Sequence, residues 1–111
     1  QKKDIKGILA DPVGSTMGGG EHGDYDIEGI GNDFIPETMD MSLVDDVIKV
    51  SDDEAFTETR LLARNEGIIA GSSSGANLAA VRKLAMCIQR GTIVTVLPDR
   101  GERYLSKNLF L

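Results

Sequence analysis

The stretch Ile68-Ile69-Ala70-Gly71-Ser72-Ser73-Ser74-Gly75-Ala76 decides how the rest of the chain is read. Three apolar residues form a very short buried strand, residues 71–75 break the chain, and a helix follows from about residue 76 to 88. That helix carries an apolar stripe of Ala80, Val81, Leu84, Ala85 and Ile88. Its small residues Ala76, Ala79 and Ala80 allow close approach to a sheet. Arg82, Lys83 and Arg90 suit its C-terminal end, and Gly91 stops it. Residues 92–97 are β-branched and read as a strand, closed by Pro98.

Upstream, the pattern repeats. Ser51-Asp52-Asp53-Glu54 matches a capping box, with three acids at the positive end of the helix dipole. Ala55, Phe56, Leu62 and Ala63 recur at helical spacing with Thr59 on the same face, and Gly67 is the C-terminal stop. Val44, Val47, Ile48 and Val50 form the strand before this helix. Ile5, Ile8, Leu9 and Ala10 form another, ending at Asp11-Pro12. Residues 14–36 show no period, and an unstructured loop of that length is often functional. Strand, loop, strand, helix, strand, helix, strand is the alternation of an α/β fold with a largely parallel sheet.

Composition removes several classes of function. The 111 residues hold 12 basic and 18 acidic side chains, a net charge of −6, which disfavours nucleic acid and anionic membrane surfaces as partners. Apolar residues make up 41%, enough for a core, and no apolar run reaches a membrane span. The start is polar and charged, unlike a secretory segment. Cys87 is the single cysteine, which points to a reducing, cytoplasmic compartment. Seven of the 13 glycines lie between Gly14 and Gly31, so the loop is shaped by its backbone.

Six features are weighed for chemistry. The Gly71–Gly75 turn at a helix start offers amides, hydroxyls and close backbone approach to a ligand at the carboxyl end of a strand. The same residues also read as an N-cap series with a tight turn, and composition leaves both open. No Walker lysine follows, so this is not a nucleotide P-loop. Glu28-Gly29-Ile30-Gly31-Asn32 could hold a loop against a substrate or be a plain turn. Gly18-Gly19-Gly20 precedes acidic residues, which would repel phosphate, and reads as a mobile loop. His22 lacks metal-ligating partners at suitable spacing, so no metal site is expected. Cys87, beside Leu84 and Ile88, reads as a packed core thiol. Residues 21–54 hold 12 of the 18 acids with one base, Lys49, and read as a solvated face.

These strings resemble a known family. Ala10-Asp11-Pro12-Val13-Gly14-Ser15, Glu28-Gly29-Ile30-Gly31-Asn32-Asp33-Phe34-Ile35-Pro36, Gly71-Ser72-Ser73-Ser74-Gly75-Ala76 and Leu97-Pro98-Asp99-Arg100-Gly101-Glu102-Arg103-Tyr104-Leu105-Ser106 occur in the order found in pyridoxal-phosphate enzymes of fold type II. Within that group the chain is similar to cystathionine β-synthases and cysteine synthases. The resemblance implies that residues 1–111 are the C-terminal portion of the cofactor-binding large domain, part of a three-layer α/β sandwich. It implies pyridoxal 5′-phosphate as cofactor, with Ser73 bonding the pyridine nitrogen, Gly71 and Ser72 beside it, and Pro98 and Asp99 near the pyridine edge. It implies that Glu28, Gly29, Ile30, Gly31 and Asn32 form a substrate loop.

A neutral serine does not keep the pyridine nitrogen protonated, which suits loss of a β-substituent followed by attack of a thiol. The family's Schiff-base lysine and phosphate loop lie far upstream of the matching region. None of the six lysines here stands in that context, and such chemistry requires an activated lysine amine. The chain is therefore expected to hold no catalytic residue itself, to be inactive alone, and to have the N-terminal portion of the same enzyme as its partner. The activity implied first is cystathionine β-synthase, joining serine and homocysteine. The alternative is cysteine synthase, from O-acetylserine and sulfide. A homodimer is implied by the family. A non-catalytic α/β binding module is the reading from another class.

Overall fold

The computed structural model describes residues 4–102 and 109. Two strands, β1 (Ile8–Pro12) and β2 (Asp46–Val50), pair in parallel, with Ile8 opposite Asp46 and Pro12 opposite Val50. A parallel pair needs a long crossover, which here is the loop from Val13 to Asp45 with one short 3-10 turn at Met41–Leu43. Two helices follow, α1 (Asp52–Glu66) and α2 (Ser72–Cys87). The α/β class with a parallel sheet is as the alternation implies. No helix among the described residues is long and apolar enough to cross a membrane.

The start of α1 follows from its sequence. Ser51 Oγ accepts the Glu54 amide at 3.3 Å, and the Glu54 carboxylate accepts the Ser51 amide at 2.8 Å. Gly67 ends the helix in the left-handed region at φ 69°. Lys83 of α2 reaches both the Glu54 carboxylate (2.7 Å) and the Lys49 carbonyl (2.8 Å), tying α2 to the junction of β2 and α1. Burial pushes the Glu54 carboxyl up, but the Lys83 ammonium and the Ser51 bonds outweigh it and hold the group below its ordinary value of 4.5.

Residues 71–75 do not break the chain before α2. Gly71 is the N-cap, and the three serines form the first turn, so the helix begins four residues earlier than its apolar stripe suggests. Gly75 lies inside the helix because α1 passes too close for a side chain. A Cβ there would overlap the Ala55 carbonyl oxygen and Thr59 Oγ1. The buried core is correspondingly small in side-chain size: Ile27, Val50, Ala55, Ala76, Ala79 and Ala80, with Ala10, Tyr25, Ile30, Ile48 and Phe56 packed against it.

The sequence reading needs three further corrections. Residues 68–70 and 92–97 are not strands among the described residues. Only an antiparallel bridge joins Ala70 to Arg100, and Val94 and Val96 are 87% and 65% exposed. Strand character is a pairing property, and these extended segments have no ladder partner here. Second, the faces that α1 and α2 bury are not the stripes of large apolar residues. Of the α1 set only Ala55 is fully buried, beside Thr59 and Glu58, and α2 buries Ala76, Ala79 and Ala80 while Ala85 and Ile88 are exposed. Glu58 is held by a two-bond pairing to Arg82 of α2 at 2.6 and 2.9 Å. Third, Cys87 is exposed, not packed in the core.

Two outcomes follow. Gly75→Ala in the full-length protein should lower stability by at least about 2 kcal/mol, since the nearest atom is the Ala55 backbone carbonyl oxygen, which cannot turn aside; a urea midpoint equal to wild type would refute the close approach. Because the folded Glu54 pKa is depressed, its contribution is complete above 4.5 and is lost as pH falls through the lower folded value. Lys83→Met should therefore cost stability near neutral pH, with the deficit narrowing on acidification; a deficit independent of pH would show that the Glu54 pairing is not its source.

Candidate functional site

The N-terminus of α2 is the meeting point of segments far apart in sequence. Gly71 through Ala76 are all buried, and Ser73 is 3% exposed. The Gly71 amide donates to the Asp99 carbonyl at 3.2 Å, and the Gly101 amide donates to the Ile69 carbonyl at 3.0 Å. Asp99 is thereby fixed beside the helix start, with its own carboxylate accepting the Arg100 amide at 2.7 Å. Pro98 is exposed next to it. Residues 103–106 of the last matching string lie outside the described residues.

From the other side, Ser72 Oγ accepts the Glu28 amide at 3.0 Å across 44 residues of sequence. A methyl placed on Gly29 would lie 3.8 Å from Ser73 Oγ. The candidate substrate segment and the candidate cofactor segment thus share one wall. Ile30 packs against the core. Gly31 has φ 82°, and a side chain there would strike Tyr25 Oη and the Pro12 ring. Burial pushes the Tyr25 phenol up, and the Asp33 and Asp11 carboxylates add to the effect. At Asn32 the backbone grips Ser15: the amide donates to Ser15 Oγ at 2.9 Å, and that hydroxyl donates to the Asn32 carbonyl at 3.0 Å.

These residues can present an oriented hydroxyl to an acceptor atom. Gly71 supplies no side-chain cap to the first turn of α2, so that turn's amides and serines are not closed off by a capping side chain. Ser74 Oγ is fully buried and has no hydrogen-bond partner among the described residues. A helix N-terminus favours an acceptor atom at such an edge.

Several contacts escaped the sequence reading. Asp52 does more than suit the helix dipole, because its carboxylate accepts the amides of Asp26 (2.9 Å) and Ile27 (3.1 Å) and docks the loop on α1. Ser15 is fully buried at the far end of the candidate loop. Gly18 is pinned rather than free, its amide bonded to Asp11 Oδ2 at 3.0 Å. Asp11 is wholly buried and pairs with Lys49 at 2.5 Å. The visible signal was Lys49 itself, the one base within a long acidic stretch. His22 sits 3.2 Å from Asp33, both well exposed, and no metal-holding cluster occurs among the described residues.

Comparison with known proteins shows the family. The family model described as pyridoxal-phosphate dependent enzyme matches residues 1–99. An O-acetylserine dependent cystathionine beta-synthase of Bacillus subtilis (strain 168) is 44% identical over 107 residues, covering 96% of this chain and 35% of that protein. A cysteine synthase of Helicobacter pylori is 43% identical over 108 residues, with the same two shares. Among solved structures, a cysteine synthase from Entamoeba histolytica superposes with a TM-score of 0.91 at 38% identity, covering 98% of this chain and 33% of that one. The chain thus spans about a third of the length of the relatives it matches. On this match, and on the parallel α/β fold it shares with them, the chain belongs to the family of pyridoxal-phosphate dependent enzymes.

Proposed function

We propose that the chain forms one wall of the cofactor and substrate pocket of an enzyme that replaces the β-substituent of a serine-type amino acid with a thiol. The observation that carries this is the Glu28 amide bonded to Ser72 Oγ, which sets the glycine loop over Ser73 at the start of α2. In this reading Ser73 gives its hydroxyl to the pyridine nitrogen, Gly71 and Ser72 shape the wall, and Pro98 and Asp99 border the ring. Residues 28–32 face the amino-acid substrate. When bound, the cofactor supplies the electron sink for loss of the β-substituent. Ser73 keeps that withdrawal mild, because a neutral hydroxyl does not hold the nitrogen protonated as a carboxylate would.

The lysine amine that such chemistry needs is assigned to residues outside this chain. Lys49 is engaged by Asp11 and the Ser15 carbonyl, and Lys83 by Glu54 and the Lys49 carbonyl. Lys6 is exposed, and Lys2, Lys3 and Lys107 lie outside the described residues. Residues 1–111 are then the C-terminal portion of a cofactor-binding domain, inactive alone. The full protein is read as a cytoplasmic homodimer.

Cystathionine β-synthase activity, with serine or O-acetylserine as donor and homocysteine as acceptor, is the first reading. Cysteine synthase activity with sulfide is the second, supported by relatives of that name at 43% identity. Full-length protein supplied with each donor and each acceptor should form cystathionine faster than cysteine; the reverse order would replace the first reading with the second. Ser73→Asp should shift the cofactor's visible absorbance and lower turnover by about 100-fold or more, since it changes the charge at the ring nitrogen. Normal spectra and turnover in that variant would remove Ser73 from the role.

A further inference from the structure

Asp11 and Lys49 are not used by the proposed chemistry, yet Asp11 is a fully buried carboxylate. It is 0% exposed, with Lys49 Nζ at 2.5 Å from Oδ2 and the Gly18 amide at 3.0 Å from the same oxygen. Its other oxygen, Oδ1, is buried with no hydrogen-bond partner among the described residues. An ion pair left half satisfied is a poor device for stability, because desolvation offsets much of the attraction. Its contacts lead elsewhere. Lys49 Nζ also donates to the Ser15 carbonyl at 2.8 Å. Gly20 lies against the ammonium, where a Cβ would be 3.6 Å from Lys49 Cε. Ser15 then holds Asn32 through two hydrogen bonds, and the amides of Thr16 and Met17 donate to the same Asn32 carbonyl at 3.0 and 3.2 Å.

We infer that Lys49 and Asp11 are positioning residues for the Glu28–Asn32 loop, acting through Ser15. The loop has two anchors. Ser72 holds its Glu28 end, and the Asp11–Lys49–Ser15 relay holds its Asn32 end. Between them Gly29 and Gly31 both adopt positive φ, at 88° and 82°, so the loop's path depends on where its ends are fixed. Ser72 belongs to α2 and Lys49 to β2, so the relay registers the loop against the sheet while Ser72 registers it against the helix. This assignment rests on the reading of residues 28–32 as the substrate wall.

The test compares wild-type full-length protein with Asp11→Asn/Lys49→Met, which removes both charges while keeping an acceptor for Gly18 and the volume of the lysine stem. Hydrogen exchange of the Thr16, Met17 and Asn32 amides should quicken about tenfold or more, with the amides of α1 and α2 unchanged. The KM for the amino-acid donor should rise several-fold with a smaller change in kcat. Lys49→Arg, which keeps a cation and donors, should restore both. Unchanged exchange in the loop overturns the inference, and so does equal acceleration in α1 and α2, which would mean the pair only stabilises the fold. Should the double variant not fold, Asp11→Asn alone is read by the same two outcomes. A wild-type protein that turns over no donor would refute the proposed function, while the exchange result would still decide the relay.

Discussion

Where α2 crosses α1, Gly75 faces the Ala55 carbonyl and the Thr59 hydroxyl with no room for a side chain. Thr59 Oγ1 donates to the Ala55 carbonyl at 2.8 Å, so the Thr59 hydroxyl is satisfied within α1 as the two backbones close. That approach fixes how far the N-terminus of α2 projects. Ser72, Ser73 and Ser74 are the three residues just before the crossing, and all are buried. A larger residue at position 75 would lift the helix start away from the Glu28 amide and dissolve the shared wall. Arg82 on Glu58 and Lys83 on Glu54 then set the rotation of α2 against α1, about two turns beyond the contact.

The loop between the strands has little regular structure, yet it is held on several sides. The Asp52 carboxylate takes the amides of Asp26 and Ile27, Ser72 takes that of Glu28, Ser15 takes that of Asn32, and Asp11 takes that of Gly18. Each acceptor is a side chain on or beside a regular element. This is how a chain segment without a ladder of its own meets the demand that backbone donors find partners. It also explains the glycine excess. At Gly31 a positive φ coincides with a close approach to Tyr25 and Pro12, so both backbone freedom and missing bulk are required.

The core is built largely from alanines, with large apolar groups such as Val94, Val96 and Met86 left facing outward. Small residues permit close helix–helix and helix–sheet distances, at the expense of buried area. A chain of this kind, about a third the length of its relatives, carries extended apolar segments that have no ladder partner among the described residues.

Much of the fold was legible in local pattern. The capping box at Ser51, the Gly67 stop and a strand through Ile8, Leu9 and Ala10 depend on neighbours within one or two turns, although Asp11 and Pro12 continue that strand instead of closing it. The ordered motifs also marked Ser73 and residues 28–32 as belonging to one site, although not how they meet. Local pattern failed where the deciding interaction was distant. It read residues 71–75 as a break, because glycine disfavours helix locally, whereas packing against Ala55 makes glycine the residue that fits. It read residues 92–97 as a strand, because β-branched composition says nothing about whether a neighbour is present. It placed Lys49 on a solvated face, which holds for most acids of residues 21–54 but not for Lys49, whose partner Asp11 lies outside that stretch. Only the parallel register of β1 and β2, which sets Asp11 opposite Lys49, turned two ordinary charges 38 residues apart into an ion pair on a buried carboxylate.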